Sequence, residues 1–177
     1  AFLRPPSTIL ARDQQKLPED LRAISLAIAL SRQGKLSEAL NQLRIAQGIR
    51  SKDPYYQELY AELLMRNQKF SAAVTAYEKA VAMAPEDSLI LVGYGRALLA
   101  NNQISKALKT LENARARDFR STKLLRDLAV AYARSNKPEM ASLVTAERFA
   151  LQGRLKDAKV HARRAALGLP TGSPAWQ

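Results

Sequence analysis

A turn residue, an apolar anchor and an alanine recur every 34 residues, and this fixed period constrains the fold more than any other feature of the chain. The three copies are Gly34-x-Leu36-x-x-Ala39, Gln68-x-Phe70-x-x-Ala73 and Asn102-x-Ile104-x-x-Ala107. Leu43, Tyr77 and Leu111 follow the alanine by four positions and Ala46, Ala80 and Ala114 by seven, which puts them on one helical face. Ala27, Ala61 and Gly95 stand 12 residues ahead of the same alanine. Small residues at these places let two antiparallel helices approach, because larger side chains would hold the backbones apart. A period of this length belongs to stacked supersecondary units.

The pattern resembles the tetratricopeptide repeat, most closely over Tyr60 to Pro85 (YAELLMRNQKFSAAVTAYEKAVAMAP). The tryptophan usual in the first helix of that family is replaced by Gln57 and Leu91. The resemblance implies an all-α fold: a right-handed superhelix, or α-solenoid, of tetratricopeptide helical hairpins, with a concave groove lined by the first helix of each pair. Asp53-Pro54 supports a repeat boundary, since Asp suits a helix cap and Pro the first helical turn. Pro85 closes the second copy.

The last part changes phase. Gly153-x-Leu155-x-x-Ala158, with Ala162, Ala165 and Pro170, fits the same template, but Ala158 lies 51 residues after Ala107, one and a half periods. An extra helix is therefore expected over Thr122 to Ser135. Its partner, Glu139 to Leu151, also serves as first helix of a final hairpin ending near Leu167. About nine helices result. The expected organisation is a lead segment 1–19, a repeat domain 20–172 and a tail 173–177. Within the domain, repeats 20–53, 54–87 and 88–121 precede the extra helix 122–135 and the last hairpin 139–172.

Of the 177 residues 47% are hydrophobic and 25% charged, enough to bury a core without staples. The absence of cysteine excludes a disulfide framework, a thiolate metal site and a cysteine nucleophile. No apolar run approaches the roughly 20 residues that cross a bilayer as a helix, so no transmembrane segment is expected. The opening Ala1-Phe2-Leu3 has neither an initiator methionine nor a leader pattern and reads as the start of an excised or processed piece. The net charge of +12 raises nucleic acid, anionic lipid and acidic peptides as partners. That charge is uneven: residues 54–87 carry five acidic against three basic side chains, and residues 122–177 four against ten.

Catalytic chemistry finds no set of residues here. His161 is the single histidine, which rules out an HExxH zinc helix and a serine triad within these residues. Gly93-x-Gly95 lacks a third glycine and sits in a helical pattern, so it reads as helix packing. Glu58 and Glu62 share a helical face without an accompanying base, and read as a solvated or ligand-facing surface. No catalytic, metal-binding or cofactor-binding residue is assigned.

Positions that face the groove in tetratricopeptide proteins fall on Tyr55, Glu58, Glu62 and Arg66, then on Arg96, and on Arg126, Val130 and Arg134. The groove would grade from acidic to basic. Some family members clamp a C-terminal carboxylate with Lys and Asn, a mode at odds with Glu58 and Glu62. Nucleic-acid binding would call for a continuous basic stripe with stacking aromatics. Only 6% of residues are aromatic, and Tyr60, Tyr77 and Tyr94 are needed for packing, so no nucleic-acid partner is expected.

A finer resemblance covers nearly the whole chain. Asp53-Pro54-Tyr55-Tyr56-Gln57-Glu58-Leu59 is similar to the opening of the C-terminal repeat domain of BepA-type (YfgC-type) periplasmic zinc metallopeptidases of Gram-negative bacteria. Ala1-Phe2-Leu3 resembles the end of a preceding helix there. Leu128 to Tyr132 (LAVAY), Met140 to Gly153 (MASLVTAERFALQG) and Leu169-Pro170-x-Gly172-Ser173-Pro174-x-Trp176 resemble its closing part. The resemblance implies a substrate- and partner-binding module in the periplasm. It also implies a linked N-terminal protease domain, which would hold zinc and HExxH, and contacts with outer-membrane assembly proteins in the service of outer-membrane protein quality control. The alternative is a free-standing scaffold binding a peptide segment, and nucleic-acid binding comes third.

Overall fold

The computed structural model describes residues 17–176. The lead segment before Leu17, with Ala1-Phe2-Leu3, lies outside the described residues. Among the described residues there are nine α-helices and no strand. They are α1 (Glu19–Arg32), α2 (Leu36–Ile49), α3 (Pro54–Arg66), α4 (Phe70–Met83), α5 (Ser88–Ala100), α6 (Ile104–Arg117), α7 (Thr122–Arg134), α8 (Pro138–Leu151) and α9 (Leu155–Gly168). The chain divides between Met83 and Ala84 into two compact units. In the first, α1 packs on α2, α3 on α4, and α2 against α3. In the second, the hairpins are α5 with α6, α7 with α8 and α8 with α9, while α7 also lies against both α6 and α5.

One turn closes every hairpin. Gly34, Gln68, Asn102, Asn136 and Gly153 all have positive φ, between 55° and 77°. The next residue in each case donates its N–H back across the turn: Lys35 to Leu30 O, Lys69 to Leu64 O, Gln103 to Leu98 O, Lys137 to Tyr132 O and Arg154 to Phe149 O, at 2.8–3.0 Å. This six-to-one bond satisfies a carbonyl left over at the helix end. Glycine and asparagine tolerate the left-handed geometry, whereas Gln68 bears a Cβ cost there.

Asn136 stands 34 residues after Asn102, and Asn136-x-Pro138-x-x-Ala141 follows it. The hairpin of α7 and α8 is thus a fourth copy in phase, with Pro138 in the anchor position at the first turn of α8. The half-period shift begins only at α8, which is second helix to α7 and first helix to α9.

Caps follow the same period. Asp53 Oδ1 accepts from Tyr55 N at 3.0 Å, Asp87 Oδ1 from Ile90 N at 3.0 Å, and Ser121 Oγ from Leu124 N at 3.3 Å. Each occupies one donor at the start of α3, α5 or α7.

The core is built from the periodic small residues. Ala27, Ala61, Ala39, Ala73, Ala107, Ala46, Ala80 and Ala114 are fully buried, with Leu43, Tyr77 and Leu111 among them. A Cβ added to Gly95 would sit 2.5 Å from the Leu111 side chain, so glycine sets the separation of α5 and α6. In the last hairpin only Ala165 of the three template alanines is buried; Ala158 is half-buried and Ala162 exposed. The cause is position: α8 is the main packing partner of α9, and its other side faces solvent.

Candidate functional site

In the first unit, α3 carries Tyr55, Glu58, Glu62 and Arg66 at helical spacing. Tyr55 is about half exposed. Glu62 receives Arg66 Nε at 3.2 Å on Oε1 and lies 3.5 Å from the Tyr77 hydroxyl, which donates to Oε2 from α4. It therefore ties the hairpin together as well as facing outward. Behind this row Asp20 is buried on α1, where Tyr56 Oη donates to it at 2.7 Å and Arg50 pairs with it. The Tyr56 hydrogen bond chiefly holds the Asp20 carboxyl below its ordinary value, against the opposing effect of desolvation.

In the second unit, α5 and α7 bring Arg96 and Arg126 onto one carboxylate. Arg96 Nε lies 2.9 Å from Asp127 Oδ2 and Arg126 Nε 3.1 Å from Oδ1. Asp127 is buried among Leu124, Leu125, Leu128 and Ala131. Arg96 is consequently a brace between adjacent first helices, while Arg126 keeps a half-exposed side chain. Arg134 donates to the Leu99 carbonyl at 2.7 Å and to Asn102 Oδ1 at 2.8 Å, bonding to the last turn of α5 and the turn after it. Val130 is 44% exposed on the row between them.

Two residues on this row escaped sequence reasoning. The 34-residue period carries Tyr55 to Leu89 and then to Lys123, and both are exposed. Applying the period to Tyr55 would have found them. Asp127 had no such signal, since only the packing of α7 against α5 reveals why an acid sits on an apolar face.

The arrangement offers apolar and cationic side chains on adjacent helices. Among the described residues no group of His, Asp and Glu is placed to hold a metal, and no helix is long and apolar enough to cross a membrane. His161 stacks at a tilt on Phe149, ring centroids 5.4 Å apart, a packing role.

Helical hairpins with small-residue seams and exposed residues on their first helices define a stacked-hairpin repeat of the protein-interaction kind. Two tetratricopeptide repeat models match residues 64–126 and 24–88, together more than half of the chain. The chain is a tetratricopeptide repeat protein.

Solved structures agree on the fold. A MamA RS-1 double mutant is similar with a TM-score of 0.69 and 19% identity, over 84% of this chain and 93% of that one. MamA from Desulfovibrio magneticus RS-1 gives a TM-score of 0.65 at 19% identity, over 84% and 94%. YrrB, described as a tetratricopeptide protein with an unusual peptide-binding site, gives 0.69 at 15% identity, over 89% and 85%. No curated protein matches the sequence.

Proposed function

We propose that this chain holds protein segments against the first-helix row of its repeats, as the partner-binding part of a bacterial periplasmic zinc metalloprotease. The observation that carries the binding role is the row on α5 and α7. Leu89 and Val130 are exposed there, and Arg126 and Lys123 accompany them. Exposed apolar residues beside cations suit a partner with apolar anchors and acidic flanks. The peptide-binding site named for YrrB, a protein of similar fold, supports the same use.

The protease link rests on the similarity of residues 53–59, 128–132, 140–153 and 169–176 to BepA-type repeat domains. Zinc would be held by HExxH in a separate domain, where the hydrolysis of envelope proteins would take place. In that setting the repeats would meet unfolded outer-membrane proteins and the assembly machinery, in the periplasm.

A photocrosslinking residue at Leu89 or Val130 tests the binding surface, with a chemically unfolded outer-membrane β-barrel protein as probe. Adducts are expected from both positions and not from Lys109 on the exposed side of α6. Equal yields from all three would sink the assignment. The protease link is read separately from the gene: an upstream HExxH and an export signal are expected, and their absence would leave a free-standing scaffold.

A further inference from the structure

The outer side of α9 corresponds to a surface that receives a helix elsewhere in the same unit. A shift of 51 residues superposes α9 on α6, taking Leu108 to Lys159, Leu111 to Ala162 and Glu112 to Arg163. On α6 this surface is covered: Leu108 is buried, Leu111 is buried where it also meets Gly95 of α5, and Tyr132 of α7 donates its hydroxyl to Glu112 at 2.9 Å. On α9 all three counterparts are exposed.

The chemistry has also changed sign. Where α6 offers leucine and a carboxylate to the tyrosine of the next helix, α9 offers Lys159 and Arg163, flanked by Lys156 and Arg164. None of these four forms an ion pair among the described residues. Val160 and Leu167 stand between the cations, 49% and 89% exposed. A following helix with the α7 pattern, apolar with an uncharged tyrosine, would leave those cations uncompensated. One with carboxylates flanking an apolar stripe would match both the charges and the exposed aliphatic side chains.

We propose that the outer face of α9 docks an acidic amphipathic helix of a partner protein, seated as α7 is seated on α6. This site shares no residue with the row on α5 and α7, so two protein segments can be held at once.

The test uses the full chain and a fluorescent stapled helix with leucines at i, i+4 and i+7 between glutamates, read by anisotropy. Saturable binding is expected. Reversing both cations, Lys159→Glu with Arg163→Glu, should weaken it by about tenfold or more. If the reversed protein loses its helical circular dichroism, Lys159→Gln with Arg163→Gln gives the same direction of change with a smaller loss. Three results overturn the proposal: no binding by the unaltered chain, undiminished binding by a folded variant, or equal binding of a stapled helix with lysines in place of glutamates. A fourth is sedimentation with phosphatidylglycerol vesicles through Lys159 and Arg163 while the acidic helix stays free, which would make the face a lipid contact.

Discussion

Single side chains show how this fold uses polar groups inside an apolar seam. Tyr132 is buried against α6, where its hydroxyl meets Glu112, and burial first and that hydrogen bond second push its pKa up to about 12. The phenol titrates near 10.0 when exposed, so its neutral form is favoured in the folded state. The stabilisation is fully present below pH 10 and disappears as pH rises through about 12. We therefore expect the stability of the native chain to fall over that window. Tyr132→Phe should have a shallower fall, with a cost near neutral pH of about 1 kcal/mol for the lost hydrogen bond. Urea midpoints at a series of alkaline pH values check this, and coincident curves for the two proteins would contradict the role given to Tyr132. Arg96 carries a second lesson at this scale. It lies on a helix position that faces the groove in this family, yet it shares buried Asp127 with Arg126, and losing Arg96 would leave that carboxylate to the half-exposed Arg126 alone.

Helices begin and end by rules that repeat with the period. Asp53, Asp87 and Ser121 cap α3, α5 and α7, and each cap replaced by alanine should cost about 1 kcal/mol. Asp87→Ala and Ser121→Ala lie in separate hairpins of one unit, so each should lower the thermal midpoint, while Asp87→Asn should largely retain stability; a midpoint unchanged by either alanine would remove the cap from the account. The seam of alanines, the Gly95 contact and the turn residues at Gly34, Gln68 and Asn102 were legible in the sequence because a 34-residue period aligns them. The turn at Asn136 keeps the same period, but Pro138 replaces the apolar anchor and hid the copy, so 122–135 read as an extra helix. That Tyr55, Glu58, Glu62 and Arg66 share one face of α3 was legible, since helical spacing fixes it. Whether a cation on the first-helix row is available or already engaged was not, because Arg96 and Arg134 find their partners 31 and 32 or more residues away on a neighbouring repeat.

At the scale of the whole chain the charge of +12 needs a physical account, because it could attract any polyanion. Nucleic acid binding draws most of its affinity from released counterions, so it requires many cations aligned along one track and falls steeply with salt. Here the cations are dispersed and partly engaged: Arg115 is held by Glu147 at 2.7 Å, Arg117 by Glu86 at 3.1 Å, and Arg154 by Asp157 at 2.8 Å. Several aromatic rings are spent on packing, with Tyr77 fully buried and Phe149 covered by Arg148, Arg154 and His161, and the exposed rings of Tyr55, Phe119 and Trp176 lie far apart in the sequence. A segment docked by apolar anchors and a few carboxylates behaves differently, since its apolar contribution is insensitive to moderate salt. The expected outcome is therefore a contrast. Mixed-sequence DNA or RNA should show no retained binding near physiological ionic strength, whereas the stapled acidic helix should lose only part of its affinity over the same titration. Parallel, steep salt curves for both ligands would mean that the chain reads charge alone, and the helix-by-helix assignment of its surfaces would have to be abandoned.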